Sequence, residues 1–145
     1  MSQAYEALEL DRQLCFPLYA ASRAVIRLYH PYLSALDLTY TQYIAMMALW
    51  ESAPLSVKAL GERLYLDSGT LTPLLKAMEK KGLIRRSRSE QDERSVLVSL
   101  TEQGLALREK ALAVPEQVGA CIPLPPERAR ELYCLLYELL DVVEE

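Results

Sequence analysis

Few residues in this chain can do redox or metal chemistry, and they are scattered. The cysteines are Cys15, Cys121 and Cys134, with no Cys-x-x-Cys pair, and the single histidine is His30. A zinc site needs about four close ligands, so neither a metal nor any other cofactor is expected. In a reducing compartment such thiols are either buried apolar residues or a redox sensor. A sensing thiol needs a depressed pKa and access for the oxidant, and its thiolate attacks a peroxide to give a sulfenic acid. Pro17 stands two residues after Cys15. A helix that breaks and restarts there would leave Cys15 beside free backbone N–H groups, which favour a thiolate. Tyr19, four residues beyond Cys15, can donate to the same sulfur if that helix is continuous. The plain alternative for Cys15 is an inert packed thiol.

A second group of residues could meet phosphate. From Lys76 to Arg88 six basic residues (Lys76, Lys80, Lys81, Arg85, Arg86, Arg88) face one acid, Glu79, whereas six acids accompany two arginines from Glu127 to Glu145. The net charge of −4 therefore does not exclude nucleic acid, because the local field is what meets a polyanion. With 51% hydrophobic and 25% charged residues, the chain reads as globular rather than disordered. No run of about 18 uncharged apolar residues occurs, so no membrane partner is expected. The acidic start, with Glu6, Glu9 and Asp11, lacks the features of a signal peptide, and a cytoplasmic location is expected.

The elements that must position these groups follow from hydrophobic period and punctuation. A first helix is expected from about Ala7 to Tyr32, interrupted at Pro17, and a second from Thr39 to about Glu51 with Tyr43, Met46, Met47 and Trp50 inward. Ser56 can cap a helix through Leu64. Tyr65 to Gly69 makes a tight turn, and a helix with Leu71, Leu74, Leu75 and Met78 inward ends at Gly82. The period then changes. Leu83–Arg88 and Ser95–Leu100 read as two strands of a hairpin with a charged tip. Thr101 can cap a helix to about Ala120, and Pro125 can open a last leucine-rich helix in which Cys134 is expected to be core.

Helix, tight turn, helix and hairpin, in that order, form a winged helix-turn-helix. The fold class is therefore mainly α, with a two-stranded wing hairpin and a helical dimerisation region built from the N- and C-terminal helices. A single domain is expected, with its DNA-binding lobe at about 53–100 and its dimerisation region at about 7–35 and 102–145. Ser68, Thr70, Thr72 and Lys76 lie opposite the leucine stripe, where they suit base edges and phosphates in a major groove. At the hairpin tip, Arg94 is expected in the adjacent minor groove with Asp92 holding the arginine in position, while Arg86 and Arg88 meet the DNA backbone.

These residues also carry a resemblance. Gln13-Leu14-Cys15-Phe16, Leu18 to Arg23, Leu38-Thr39-Tyr40, Leu49-Trp50-Glu51, Gly61 to Lys76 and Asp92 to Val96 are similar to the MarR-type regulators. Within that family they resemble the organic-hydroperoxide sensors called OhrR. The match runs from about Asp11 to Arg108 and is highly specific. The resemblance implies a homodimer held by its terminal helices that represses transcription from a double-stranded DNA operator until an organic hydroperoxide oxidises Cys15. It also implies that Tyr29 and Tyr40 share a site with Cys15, and it makes Cys121 a candidate resolving thiol. The alternative for Cys121 is a small apolar residue before Pro123. Fourteen residues of helix span about 21 Å, so Tyr29 can meet Cys15 only across a dimer, or if the helix folds back.

Three functions compete. The first is a redox-sensing repressor on a palindromic operator, and not an enzyme. The second is a MarR-type repressor released by a small phenolic ligand in the dimer cleft, with Cys15 incidental. The third is a thiol peroxidase, which lacks a histidine proton donor near the thiol and gives the wing no purpose.

Overall fold

The computed structural model describes residues 3–144, which divide into two compact units, one up to Val114 and the other from Pro115. In the first unit, two 3₁₀ turns (Gln3–Leu8 and Leu10–Arg12) lead into α1, Cys15–Ser34. The expected helix from Ala7 is thus corrected, because the chain before Cys15 is 3₁₀ and not α. Pro17 is the third residue of α1, in the first turn, where a missing N–H removes no hydrogen bond. The expected restart therefore falls at Cys15 itself. At its other end α1 continues through Pro31 to Ser34 and closes on Asp37, which adopts φ 54.

Helix α2 spans Tyr40–Ser52 and opens with a full capping box. Gln42 N–H donates to Thr39 Oγ1, and Thr39 N–H donates to Gln42 Oε1. Its buried positions include Tyr43, Ala45, Met46, Ala48 and Leu49, whereas Met47, expected in the core, is 38% exposed. Trp50 is half-buried and donates from Nε1 to the Gly104 carbonyl at 2.9 Å. Helices α3 (Val57–Leu64) and α4 (Ser68–Lys80) follow, and Leu60, Leu71, Leu75 and Met78 bury in the same core.

Strands β2 (Ile84–Arg88) and β3 (Val96–Leu100) form the expected antiparallel hairpin, with Arg86 opposite Val98. A further strand, β1 (Leu55–Ser56), pairs with β3 at Leu55–Val98, so the sheet has order β1-β3-β2 rather than the expected two strands. At its centre Val98 has no exposed surface. Thr101 caps α5, Glu102–Ala111, by accepting from Gly104 N–H at 3.0 Å. The expected helix to Ala120 is corrected, since it breaks after Ala111 and restarts as α6, Val114–Gly119.

The second unit contains α7, Pro126–Val143, which has no buried residue. Leu132, Leu135, Leu139, Val142 and Val143 are all exposed, as is Cys134. Cys134 was expected in a core and is not in one within the single chain. Among the described residues, no helix is long and apolar enough to cross a membrane, and no cluster of His, Cys, Asp or Glu could hold a metal ion.

Candidate DNA-binding face and thiol site

The helix-turn-helix is set by a chain of local contacts. Ser56 accepts from Ala59 N–H at 3.0 Å and starts α3. The helix ends at Tyr65 in the left-handed region, φ 55, with Leu66 N–H donating to Gly61 O at 2.9 Å. Gly61 is required there, because a Cβ would stand 2.9 Å from the Leu66 carbonyl oxygen. Asp67 then accepts from Thr70 N–H at 2.8 Å and starts α4. Hydrogen bonds from Thr70, backbone first, hold the Asp67 carboxyl below the ordinary range.

This geometry leaves Ser68, Thr70, Thr72 and Lys76 exposed along α4, opposite the buried Leu71, Leu75 and Met78. At the other end of α4, Gly82 (φ 78) donates to Glu79 O and Leu83 donates to Met78 O, a Schellman closure that turns the chain directly into β2. A groove of about 390 Å³ runs between α4 and the wing, with Thr72, Arg86, Asp92 and Arg94 among its walls. Lys58, from the first turn of α3, also lines it. The only sequence signal for Lys58 is its place two residues after the Ser56 cap.

Asp92 holds Arg94 through the main chain. Its Oδ1 accepts the Arg94 backbone N–H at 3.0 Å, and its carbonyl accepts Ser95 N–H, so Asp92 shapes the tip and leaves the exposed Arg94 side chain to solvent. Arg86 is paired with Glu79. Its N–H donates to Glu79 Oε2 at 2.9 Å and its Nη2 to Glu79 Oε1 at 3.2 Å. Arg88, in contrast, is exposed, and its Nη1 donates to Glu93 O at 3.4 Å. Lys81 is also engaged, donating to Gln42 Oε1 and Asp37 O.

The thiol chemistry divides between places. Cys15 is the exposed first residue of α1. Tyr19, one turn on, accepts a hydrogen bond from Arg23 Nη1 at 3.2 Å, and that guanidinium lies 5.5 Å from the Tyr19 ring centre. Tyr29 is fourteen residues along the same unbroken helix, about 21 Å away at 1.5 Å per residue. The fold-back alternative is thus removed. Tyr29 instead packs edge-on to Tyr40, with ring centres 4.9 Å apart, and Tyr43 stands 5.8 Å from Tyr29. Burial, and then the neighbouring Tyr29, raises the pKa of both Tyr40 and Tyr43, which disfavours both phenolates. Beside Tyr40 lies a second cleft of about 400 Å³ with Arg27, His30 and Lys81 in its walls. Cys121, in the second unit, is exposed, and its Sγ donates to Gln117 O at 3.4 Å.

A capped helix pair, a hydroxyl-rich exposed helix face and an arginine-tipped hairpin define a winged helix-turn-helix DNA-binding regulator. Comparison with known proteins agrees. The family of transcriptional regulators SarA/Rot matches residues 27–110. The chain is 49% identical over 145 residues to the organic hydroperoxide resistance transcriptional regulator of Bacillus subtilis (strain 168), covering 100% of this chain and 99% of that one. Reduced AbfR of Staphylococcus epidermidis bound to DNA matches with TM-score 0.78 and 34% identity, over 99% of this chain and 100% of that one. The disulfide-formed state of AbfR matches with TM-score 0.65 and 35% identity, over 94% and 96% of the two chains. The chain belongs to the MarR family of transcriptional regulators, in its organic-hydroperoxide-sensing subfamily, and is a regulator rather than an enzyme.

Proposed function

We propose that two copies of this chain hold a palindromic operator while Cys15 is reduced and release it when an organic hydroperoxide oxidises Cys15. Helix α4 enters the major groove with Ser68, Thr70, Thr72 and Lys76. Arg94 reaches the minor groove, and Arg88 meets the backbone. The Cys15 thiolate attacks the terminal peroxide oxygen and the O–O bond breaks. Sulfur is oxidised by two electrons to the sulfenic acid, and the alkoxide takes a proton to leave as the alcohol. Cys121 of the other copy then condenses with the sulfenic acid, forming S–S and releasing water.

The observation that carries this proposal is the unbroken path of α1. Cys15 stands exposed at its start, and the Tyr29–Tyr40 pair lies about 21 Å along it. A thiol and phenols so far apart in one chain make a single site only when two chains contribute. The apolar faces left open on α1 and α7, with Leu18 41% and Leu135 54% exposed, suit such a pairing. The names of the relatives add the chemistry, hydroperoxide resistance in one and disulfide formation in the other.

The test is a gel shift on an operator selected from random duplex DNA, with and without one equivalent of an organic hydroperoxide, repeated on Cys15→Ser. The wild type releases DNA on oxidation and the variant holds it. A variant that still releases DNA would overturn the assignment of Cys15. The cleft beside Tyr40 favours a second reading, release by a small phenolic ligand. In that case Cys15→Ser would respond to the phenol as the wild type does.

A further inference from the structure

We propose that Glu79 is a positioning residue for DNA recognition. It clamps Arg86 so as to fix the angle between α4 and the wing, and this acid within the basic surface thereby strengthens operator binding. The proposal rests on α4 and the wing being the DNA-binding elements.

Glu79 lies in the last turn of α4, and Arg86 is the third residue of β2. One carboxylate takes both the main-chain N–H and the guanidinium of Arg86, at 2.9 and 3.2 Å. Two bonds from one residue fix orientation as well as distance. The guanidinium also stands half-shielded, with its side chain 27% exposed and its Nε buried without a partner. Arg86 is thus committed to Glu79 and is poorly placed to leave it for a phosphate. The clamp grips the sheet at its buried centre, since Arg86 pairs with the fully buried Val98, which in turn pairs with Leu55. Beyond Arg86 the hairpin projects by three to four residues, about 12 Å at 3.3 Å per residue. A rotation of about ten degrees at the clamp would carry the tip about 2 Å over that lever. Such a shift is enough to misplace Arg94 relative to a groove that α4 already occupies.

Charge alone makes the opposite forecast. Deleting an acid from a surface that meets a polyanion raises affinity for every DNA. The clamp predicts that Glu79→Gln lowers operator affinity about tenfold while affinity for an unrelated duplex of equal length is unchanged or rises, so that their ratio collapses. Arg86→Ala should reduce the ratio to a similar extent, and the double variant should be no worse than Arg86→Ala. The salt slope for the operator should stay at the wild-type value in all three. A role in folding alone would lower the melting temperature and weaken both DNAs together, which would overturn the proposal. If Glu79→Gln fails to fold, Arg86→Lys serves instead, keeping the charge and the backbone bond while losing the Nη2 bond, and should lower the ratio partway.

If Arg86 binds phosphate, Arg86→Ala reduces the salt slope by about 0.9 and Glu79→Gln tightens both DNAs, and the clamp is wrong. Lys76→Ala and Arg94→Ala separate this failure from the other. If they weaken DNA binding while Glu79→Gln tightens it, only the clamp fails. If they leave DNA binding untouched, the DNA-binding face itself is misassigned.

Discussion

Tyr40 meets Tyr29 edge to face, with ring centres 4.9 Å apart and planes at 61°, and so ties the first residue of α2 to the C-terminal half of α1. Edge-to-face packing sets the positive rim of one ring against the negative face of the other. Burial of Tyr40, and then the proximity of Tyr29, disfavours its phenolate and raises its pKa above the ordinary 10.0. Tyr43 is raised for the same two reasons, with Tyr40 adding to them.

A pH dependence with a definite sign follows. A group whose folded pKa is raised contributes stability that is complete below its unfolded pKa, about 10 for tyrosine, and is lost as pH climbs through the folded value. Urea midpoints should therefore hold to about pH 9 and fall above pH 10, and Tyr40→Phe should flatten that fall. Near-ultraviolet absorbance should show some of the nine tyrosines ionising late in the native protein. Ionisation of all nine in one ordinary step would contradict the packing described.

Lys81 yields a stability prediction. Its ammonium donates to Gln42 Oε1 at 2.9 Å and to the Asp37 carbonyl at 2.5 Å, so the end of α4 is tied to the turn that leads into α2. Gln42 is 5% exposed and spends the same oxygen on the Thr39 N–H. Lys81→Met should lower unfolding free energy by about 1.5–3 kcal/mol, the range for a hydrogen bond to a charged group. Asp37→Asn keeps the left-handed turn and should cost less, because the Asp37 carboxylate is 3.7 Å from Lys81 and 91% exposed. Urea denaturation of the two variants decides. Equal losses would mean that the ion pair matters and the backbone tie does not.

What could be read from the sequence was local. Thr39, Ser56 and Thr101 cap helices as their neighbours suggested, because an N-cap is a matter of three or four consecutive residues. The stripe Leu71, Leu75, Met78 and the stop at Gly82 fixed the recognition helix for the same reason. β1 was missed because two residues show no period, and it exists only by pairing with β3. The break at Leu112–Ala113 carries no glycine or proline of its own. In the sequence Arg86 is one of six cations, yet its environment is set by Glu79, which a turn and a change of secondary structure bring within reach. The leucines of α7 point to a core around Cys134, but that apolar face is open in the single chain.

The DNA face is tested by two variants that should differ in kind. Lys76, exposed on α4, is assigned to a phosphate, so Lys76→Ala should weaken operator and unrelated DNA alike and reduce the salt slope by about 0.9. Arg94 sits at the wing tip with its backbone fixed by Asp92. Arg94→Ala should weaken operator binding more than Lys76→Ala, through loss of the minor-groove anchor. Fluorescence anisotropy across a salt series measures both. Wild-type operator binding by Arg94→Ala would remove the wing from the interface.

The last prediction separates two-cysteine from one-cysteine switching, and the exposure of all three thiols gives it an internal control. Cys15, Cys121 and Cys134 are each exposed in the single chain, so accessibility alone does not select a partner for an oxidised Cys15. A disulfide requires Cα atoms within about 7 Å, and that geometry is what must choose. If Cys121 resolves the sulfenic acid, the two sulfurs come from different copies, because the proposed site is shared between them. One equivalent of hydroperoxide should then convert the protein to a covalent dimer on a non-reducing gel. Cys121→Ser should abolish that band and Cys15→Ser should do the same, while Cys134→Ser should leave it intact. Indiscriminate thiol oxidation would instead make Cys134→Ser reduce the yield as much as Cys121→Ser. A wild type that stays monomeric on the gel, with Cys15 trapped as sulfenic acid or capped by a small thiol, would make Cys15 the sole switch. It would also return Cys121 to the small apolar role that its place two residues before Pro123 allows.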